Sequence, residues 1–286
     1  MRDEGANVTC EDKSLIERLL KCEENLEDYQ NELDSWINSL EELSEIEDAF
    51  KTDGKFRIRG KRVLDVGTDC VKPLYIALKF KPSKIIGINE KLPSMLSNLE
   101  QESRFFTKTK IRFYNFSLFN DVMLDRILKE EGMDRKFDFV LVSKTLHHLR
   151  TEECIREKRD KEHEHQEDET EKCCIYGFET RKIFEKLLKL GKRVIVYETY
   201  FPQEEDKDKV RGRGGYFTTK EWEKILTSIS VSEKYKVEFI TPIKCHLTNK
   251  ELKNIIAKLN QVDYICFYVE EQDVKNSKRL IAKTKR

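Results

Sequence analysis

Polar residues that could bind a ligand follow a short apolar run in the first quarter of this 286-residue chain. The segment 62–70 reads RVLDVGTDC, in which the apolar run contains Asp65 and is followed by Gly67, Thr68 and Asp69. A glycine at such a point lets the backbone approach a ligand closely, and the helix that follows supplies free N–H groups. The segment therefore predicts a ligand-binding loop.

Further polar residues stand where later apolar runs end. The run KIIGIN ends in Asn89 and is followed by Glu90, while Ser117 follows a third run and Ser143 ends a fourth. Amide, carboxylate and hydroxyl oxygens can all form hydrogen bonds with the hydroxyl groups of a ligand. We therefore add these four residues to the candidate binding residues.

The segment KTLHHL at the end of the fourth run carries candidates for acid–base chemistry, which are Lys144, His147 and His148. Histidine titrates near neutral pH, so either imidazole could act as a general base. The alternative is that a histidine caps the following helix or packs against the sheet. Glu198 and Tyr200, at the end of a fifth run, could orient a substrate.

From Lys61 onward, apolar runs alternate with amphipathic stretches. Strict alternation of apolar strands with helices is typical of a parallel sheet covered on both faces, and ligands bind such sheets at the carboxyl ends of the strands. We predict an α/β, Rossmann-like fold with a mostly parallel seven-stranded sheet, helices on both faces and an N-terminal helical segment. The predicted strands are Arg62–Val66, Lys84–Asn89, Ile111–Phe116, Phe137–Ser143, Arg193–Glu198, Lys236–Pro242 and Tyr264–Val269, and the predicted helices are Val71–Phe80, Leu92–Ser103, Val122–Glu131, Phe178–Leu190, Thr219–Ser228 and Asn249–Asn260.

Apolar residues recur at alternating intervals of four and three residues from Leu15 to Leu43. This heptad spacing predicts a long helix or a bent helical pair. Its apolar edge either docks on the domain that follows, or forms a coiled coil with a second copy or a partner protein. The predicted organisation is an acidic helical segment at 1–55, an α/β domain at 56–272 with a charged insertion at 150–177, and a basic tail at 273–286.

Charge is unevenly distributed, although the formal net charge is +0. Positions 1–50 hold four Lys or Arg and sixteen Asp or Glu, a net charge of −12, so the remainder of the chain carries +12. A basic field of this kind attracts a polyanion such as RNA. The alternative is that the acidic segment packs over the basic domain and neutralises it.

No apolar run approaches the roughly 20 residues that a membrane-spanning helix needs, and the first residues lack the apolar centre of a signal peptide. We therefore expect an intracellular, soluble protein, cytoplasmic or nuclear, that makes no membrane contact and keeps its eight cysteines reduced. His163, His165, Cys173 and Cys174 lack the usual spacing of zinc ligands, so no metal site is predicted.

In their order along the chain, these motifs resemble the class I S-adenosylmethionine-dependent methyltransferases from about Lys61 to Glu270. RVLDVG resembles the VLD-x-G-x-G-x-G loop of that family, FDFVLVSKTLHHL its fourth strand, and LLKLGKRVIVYE its LLKPGG-strand signature. GGYFTTKEWEKIL resembles a later helix, and KVEFITPIK with DYICFYVEE resembles the closing antiparallel strand pair. The resemblance implies S-adenosylmethionine as the cofactor, a binding set of Asp65, Gly67, Thr68, Asp69, Asn89, Glu90, Ser117 and Ser143, and a catalytic set of His147, His148 and Lys144.

The chain departs from the family pattern in two places. Asp69 and Val71 replace the second and third glycines of the loop, and Asn89 stands where the family usually has an acid, with Glu90 beside it. GTDC followed by Pro73 resembles the loop of a bacterial tRNA adenine methyltransferase family that uses the cofactor.

Three functions are compatible with these motifs: a methyltransferase acting on RNA or a nucleotide-like anion, a small-molecule methyltransferase, and a non-catalytic binding or activating subunit with the same fold. The chain has no D/N-P-P-Y/F motif, which counts against methylation of exocyclic base nitrogens. It also has no Pro-Cys after the fourth strand, which counts against cytosine C5 chemistry. Oxygen, ring-nitrogen and small-molecule acceptors remain open.

Overall fold

The computed structural model describes residues 57–68, 72–90, 92, 100–101, 103–104, 107–132, 136–146, 149, 177–201, 217–230, 234–241, 245–246, 249–259 and 264–272. The predicted N-terminal helical segment, nearly all of the charged insertion and the basic tail lie outside these residues, as do Asp69, Val71, His147 and His148. Contacts between residues divide the chain into two compact units, Met1–Leu141 and Val142–Arg286.

The first unit alternates strands with helices. The elements are β1 (Arg62–Val66), α1 (Lys72–Phe80), β2 (Lys84–Asn89), β3 (Lys110–Asn115), α2 (Asp121–Glu130) and β4 (Phe137–Ser143), the last of which ends in the second unit. The strand order is β3-β2-β1-β4, and β1, β2 and β3 are parallel, with Asp65 opposite Gly87 and Gly87 opposite Phe113.

Apolar burial and a local cap account for these elements. The residues of β1, β2 and β4 are nearly all buried, as expected for strands covered on both faces. Helix α2 begins where the Asn120 side chain accepts a hydrogen bond of 3.1 Å from the N–H of Met123. It ends before Gly132, whose φ of +62° is the left-handed conformation that often terminates a helix.

The second unit contains the elements α3 (Gly177–Leu190), β5 (Gly191–Phe201), β6 (Phe217–Thr218), α4 (Thr219–Ser230), β7 (Tyr235–Thr241), β8 (Cys245–His246), α5 (Asn249–Leu259) and β9 (Tyr264–Glu271). Its strands form a mixed sheet in the order β5-β9-β7-β8, with β6 paired to β5. Strand β9 is antiparallel to both β5 and β7.

Aromatic side chains form the core of the second unit around Phe267 of β9. The Phe267 ring lies 6.0 Å from Phe184 of α3, 5.8 Å from Trp222 of α4 and 5.4 Å from Phe239 of β7, measured between ring centroids. All four side chains are 0 % exposed, so the two helices pack on the sheet through one continuous apolar layer.

The predicted fold class is confirmed, since the chain has a Rossmann-like fold with a mostly parallel sheet and covering helices. Two strands of two residues each, β6 and β8, were not predicted because so short a segment has no periodicity. Of the predicted helix Leu92–Ser103, the structure describes residues 100, 101 and 103 as helical. Among the helices described, none is both long enough and apolar enough to cross a lipid bilayer.

Candidate functional site

The turn after β1 is held against the end of β2 by two backbone hydrogen bonds. The N–H groups of Gly67 and Thr68 both donate to the carbonyl of Ile88, over 2.8 Å and 3.1 Å. Gly67 has a φ of +71°, a left-handed conformation that glycine adopts without steric cost. The predicted binding loop therefore begins with a turn that requires its glycine.

The side chain of Thr68 packs on the glycine of β2. A β-carbon added at Gly87 would lie 2.7 Å from Thr68 Oγ1, 2.9 Å from Thr68 Cβ and 2.8 Å from Phe113 Cδ1. Because real β-carbons do not approach other atoms so closely, position 87 accommodates only glycine while Thr68 keeps this place. Thr68 is 1 % exposed, so its side chain belongs to the support of the loop.

Asn89 connects the end of β2 to the same loop. Its side-chain Nδ2 donates to the carbonyl of Thr68 over 2.9 Å, and its own carbonyl accepts the N–H of Phe116 over 3.0 Å. Asn89 is partly buried, whereas the neighbouring Glu90 is exposed. An amide here does what a carboxylate could not do, since only the amide has an N–H to donate to a carbonyl.

Asp65 and Ser117 occupy the ends of the flanking strands. Asp65 is fully buried in β1, directly opposite Gly87 of β2. Ser117 is partly buried after β3, where its Oγ accepts the N–H of Phe119 over 3.3 Å. The first unit therefore brings the predicted residues Asp65, Gly67, Thr68, Asn89, Glu90 and Ser117 to the carboxyl ends of three adjacent parallel strands.

In the second unit, the chain leaves β4 through a strained residue. Lys144 has a φ of +45°, which is uncommon for a residue with a side chain and costs on the order of 1 kcal/mol. Its N–H donates to the carbonyl of Tyr197 over 2.8 Å. The preceding Ser143 is 1 % exposed, and its carbonyl accepts the hydroxyl of Thr145 over 2.8 Å.

A buried carboxylate supports the next turn of the chain. Glu198 of β5 is 0 % exposed and accepts the N–H of Leu146 over 2.9 Å. The N–H of Leu149 donates to the carbonyl of Thr145 over 3.1 Å, which makes Leu146 the first residue of a helical turn. First-turn N–H groups have no partner within their own helix, so Glu198 supplies the one that Leu146 lacks.

These contacts clarify several predicted roles. Glu198 was predicted to orient a substrate, and its observed partner is the backbone of the turn that begins at Leu146. Ser143 and Lys144 lie in the second unit, while the side-chain positions of His147, His148 and Asp69 fall outside the described residues. The role of Gly87 was not predicted, although a glycine within an apolar strand commonly marks the close approach of another segment.

A buried charge cluster also escaped prediction. The carboxylate of Glu131, which follows α2, accepts Lys84 Nζ over 2.9 Å, Lys110 Nζ over 3.0 Å and Tyr114 OH over 2.6 Å. Burial alone would raise the pKa of Glu131, but the hydrogen bonds from Tyr114, Lys84 and Lys110 lower this pKa to about 2. Burial and the bond to Glu131 raise the pKa of Tyr114, so the phenol stays protonated. The described residues contain no group of three His, Cys, Asp or Glu side chains placed to hold a metal ion.

The strand order decides the fold. The order β3-β2-β1-β4 of the first unit is that of a doubly wound sheet, with its loop after β1 and its polar residues at the carboxyl ends of the strands. The second unit contains the closing antiparallel pair, β7 and β9, that the sequence resemblance implies. The chain has the Rossmann-like methyltransferase fold.

Solved structures with this methyltransferase fold are similar to the chain at low sequence identity. Magnesium protoporphyrin IX methyltransferase from Synechocystis is 11 % identical over 93 % of this chain and 96 % of its own, with a TM-score of 0.45. An rRNA methylase from Streptococcus thermophilus is 9 % identical over 76 % of this chain and 90 % of its own, with a TM-score of 0.38. Geranyl diphosphate C-methyltransferase from Streptomyces coelicolor is 10 % identical over 79 % and 77 %, with a TM-score of 0.40.

No protein-family model matches the sequence, and no curated protein matches it. The assignment of the methyltransferase fold depends on the strand order and register described above.

Proposed function

We propose that the chain is an S-adenosylmethionine-dependent methyltransferase whose acceptor is RNA or a nucleotide-like anion. The observation that carries the proposal is the left-handed turn at Gly67, which is fixed to β2 beside Asn89 and Glu90. A preformed turn with hydrogen-bonding groups at the carboxyl ends of parallel strands is the arrangement that binds nucleotide-like cofactors in doubly wound sheets.

The residues of the first unit fit an adenosine-bearing cofactor. Gly67 presents no side chain at the start of the loop, and Asn89, Glu90 and Ser117 follow on the neighbouring strands. The carboxylate of Glu90 is exposed and can accept hydrogen bonds from ribose hydroxyls, a role for which Asn89 provides only one oxygen. When bound, S-adenosylmethionine supplies an electrophilic methyl group on its sulfonium.

The residues that we expect to act on the methyl acceptor follow the end of β4 in the sequence. A methyl transfer needs a nucleophile held in line with the sulfonium and a base wherever the nucleophile carries a proton. Lys144 and the histidines of KTLHHL supply candidate groups, and Glu198 fixes the start of the turn through Leu146. We assign the role of base to His147 or His148, because imidazole exchanges protons near neutral pH.

The choice of a nucleic acid as acceptor rests on charge. Outside the acidic positions 1–50 and 150–172, the chain carries a net charge of +16. A field of this sign concentrates phosphate-bearing ligands and makes their binding dependent on salt.

One observation favours a second candidate, a non-catalytic subunit with the same fold. The amide of Asn89 donates to the carbonyl of Thr68, so the residue at the family's ribose position takes part in holding the loop. A chain that had lost the cofactor could retain this bond for stability alone.

Transfer of tritium from S-adenosyl[methyl-³H]methionine to total cellular RNA tests the proposal. We expect acid-precipitable, ribonuclease-sensitive label with the wild-type chain and a loss of at least tenfold with the matched variant His147→Ala/His148→Ala. Label that appears only in a small-molecule fraction would contradict the RNA acceptor. Cofactor binding without transfer to any fraction of a cell extract would favour the non-catalytic subunit.

A further inference from the structure

Exposed cations gather at the amino-terminal ends of the four strands of the first unit. Each of these strands begins with, or closely follows, exposed lysine or arginine side chains. This set, termed the basic edge, consists of Arg57, Arg59, Lys61, Lys81, Lys108, Lys110 and Lys136.

Hydrogen bonds between the connecting segments hold the basic edge together. The N–H of Gly60 donates to the carbonyl of Lys81 over 3.0 Å, and the N–H of Ser83 donates to the carbonyl of Lys61 over 2.8 Å. The N–H of Lys110 donates in turn to the carbonyl of Ser83 over 3.1 Å. The segments before β1, β2 and β3 are therefore fixed to one another as a single rim, and the side chain of Arg62 donates to the carbonyl of Lys136 before β4 over 2.9 Å.

The segment before β1 is anchored by its apolar residue. Ile58 is 5 % exposed, whereas Arg57 and Arg59 on either side of it are exposed. The N–H of Lys61 donates to the carbonyl of Ile58 over 2.9 Å, which closes a turn. The backbone that carries the two arginines is therefore held in place.

Two acids that the structure describes at this end of the strands, Glu131 and Asp138, are already engaged. Glu131 accepts hydrogen bonds from Lys84 and Lys110, and its side chain is 5 % exposed. Asp138 accepts the backbone N–H of Arg62 over 3.1 Å, and its side chain is 17 % exposed. The seven residues of the basic edge are themselves exposed to solvent.

The opposite end of the same strands has a different character. Glu90 and Asp121, after β2 and β3, are exposed there. The cations of the basic edge therefore lie at the amino ends of the strands, and the exposed acids Glu90 and Asp121 follow the carboxyl ends of β2 and β3. Strands of five to six residues separate the two ends by roughly 17–20 Å.

We propose that the basic edge is a binding surface for the phosphate backbone of RNA, separate from the candidate site at the carboxyl ends of the strands. The choice of RNA as the polyanion rests on the proposed function. Neighbouring strands lie about 4.8 Å apart, so four strand starts span about 15 Å, which corresponds to roughly four stacked nucleotides.

The composition of the surface favours RNA over a lipid membrane. Among the described residues, the exposed large hydrophobic side chain is that of Val122. It lies in the first turn of α2, at the end of the first unit that lies opposite the basic edge. A peripheral membrane surface combines cations with apolar residues that enter the bilayer, and the basic edge offers cations alone. Cations without exposed aromatic side chains bind phosphates and do not read bases, so we expect binding with little sequence preference.

Fluorescence anisotropy with a labelled single-stranded RNA of 20 nucleotides, on the full chain without cofactor, tests the proposal. The edge variant is Arg57→Glu/Arg59→Glu/Lys61→Glu. Its matched control, Lys189→Glu/Lys192→Glu/Lys253→Glu, makes the same change of charge at exposed lysines of the second unit. We expect the edge variant to lose at least tenfold more affinity than the control, and its log–log salt slope to fall by about two to three.

Equal losses in the two variants would overturn the proposal, because the effect would then be one of net charge. An absence of RNA binding by the wild-type chain would overturn it as well, and so would an edge variant that loses binding to phosphatidylserine vesicles but keeps its RNA affinity. If the edge variant fails to fold by circular dichroism, Lys81→Glu/Lys108→Glu replaces it. Cofactor calorimetry on the same samples reports separately on the proposed enzyme function.

Discussion

The side chain of Thr68 occupies the space above Gly87, where an added β-carbon would lie 2.7 Å from Thr68 Oγ1. This contact packs the loop after β1 directly against β2. The same two segments are joined by hydrogen bonds from Gly67 and Thr68 to Ile88. The conformation of the candidate cofactor loop therefore depends on the backbone and packing of β2.

Replacing Gly87 by alanine should disturb the loop after β1, because the added methyl group would collide with Thr68. The new β-carbon would displace Thr68 or the ring of Phe113, and such overpacking costs about 1–3 kcal/mol. We expect a lower free energy of unfolding in urea, together with at least tenfold weaker S-adenosylmethionine binding. The matched control is Ile85→Val, also in β2, which should cost about 1 kcal/mol and leave the affinity unchanged. Equal affinities in both variants would show that Thr68 does not shape the cofactor loop.

Gly67 and Gly60 provide a matched pair for backbone strain. Their φ angles are +71° and +72°, so alanine at either position meets about the same penalty, on the order of 1 kcal/mol. A β-carbon at Gly60 would meet no atom within 4 Å, so only strain acts there. We expect similar losses of stability in Gly67→Ala and Gly60→Ala, measured by thermal unfolding. Calorimetry should show weaker cofactor binding only in Gly67→Ala, and a similar loss in both would argue against the loop assignment.

The strands were predicted well because buried parallel strands appear in a sequence as short apolar runs. β1, β2 and β4 begin and end as predicted, and most other boundaries differ by one to three residues. The side chains that fix the turns could not be predicted in the same way. Lys144 is not a residue type that marks a left-handed turn, and the bond between Glu198 and Leu146 joins positions 52 residues apart.

One part of the Glu131 cluster, its polar residues on β3, was predictable from the sequence. Lys110, Arg112 and Tyr114 alternate along β3, so a polar stripe on one face of the strand was predictable. Their common partner follows helix α2, and only the folded chain brings it to that stripe.

Removal of the Glu198 carboxylate should loosen the turn after β4. Glu198→Leu leaves the first-turn N–H of Leu146 without its acceptor, so we expect the exchange of this amide with deuterium to speed up by on the order of tenfold or more. Glu198→Gln keeps one accepting oxygen and should show a smaller effect. The control Glu238→Gln changes a carboxylate of β7 that accepts the hydroxyl of Tyr268. If Glu198→Leu and the control exchange alike at Leu146, the support by Glu198 is refuted.

Acid should weaken the first unit through Glu131. The pKa of this carboxyl is about 2 in the folded chain and near 4.5 when unfolded, so its contribution is complete above about pH 4.5 and is lost as the pH falls toward 2. We expect Glu131→Gln to lower the free energy of unfolding at pH 7, and the gap from the wild-type chain to narrow between pH 4.5 and 2. The control Asp125→Asn, on the exposed side of α2, should show little gap at either pH.

Isothermal titration of the full chain with S-adenosylmethionine decides whether the loop after β1 belongs to a cofactor site, and Asp65→Ala is the variant expected to lose binding. We expect one site per chain, a dissociation constant in the micromolar range, and loss of the signal in an Asp65→Ala chain that still unfolds cooperatively. An absence of binding heat at millimolar cofactor, or undiminished affinity in Asp65→Ala, would refute the cofactor site.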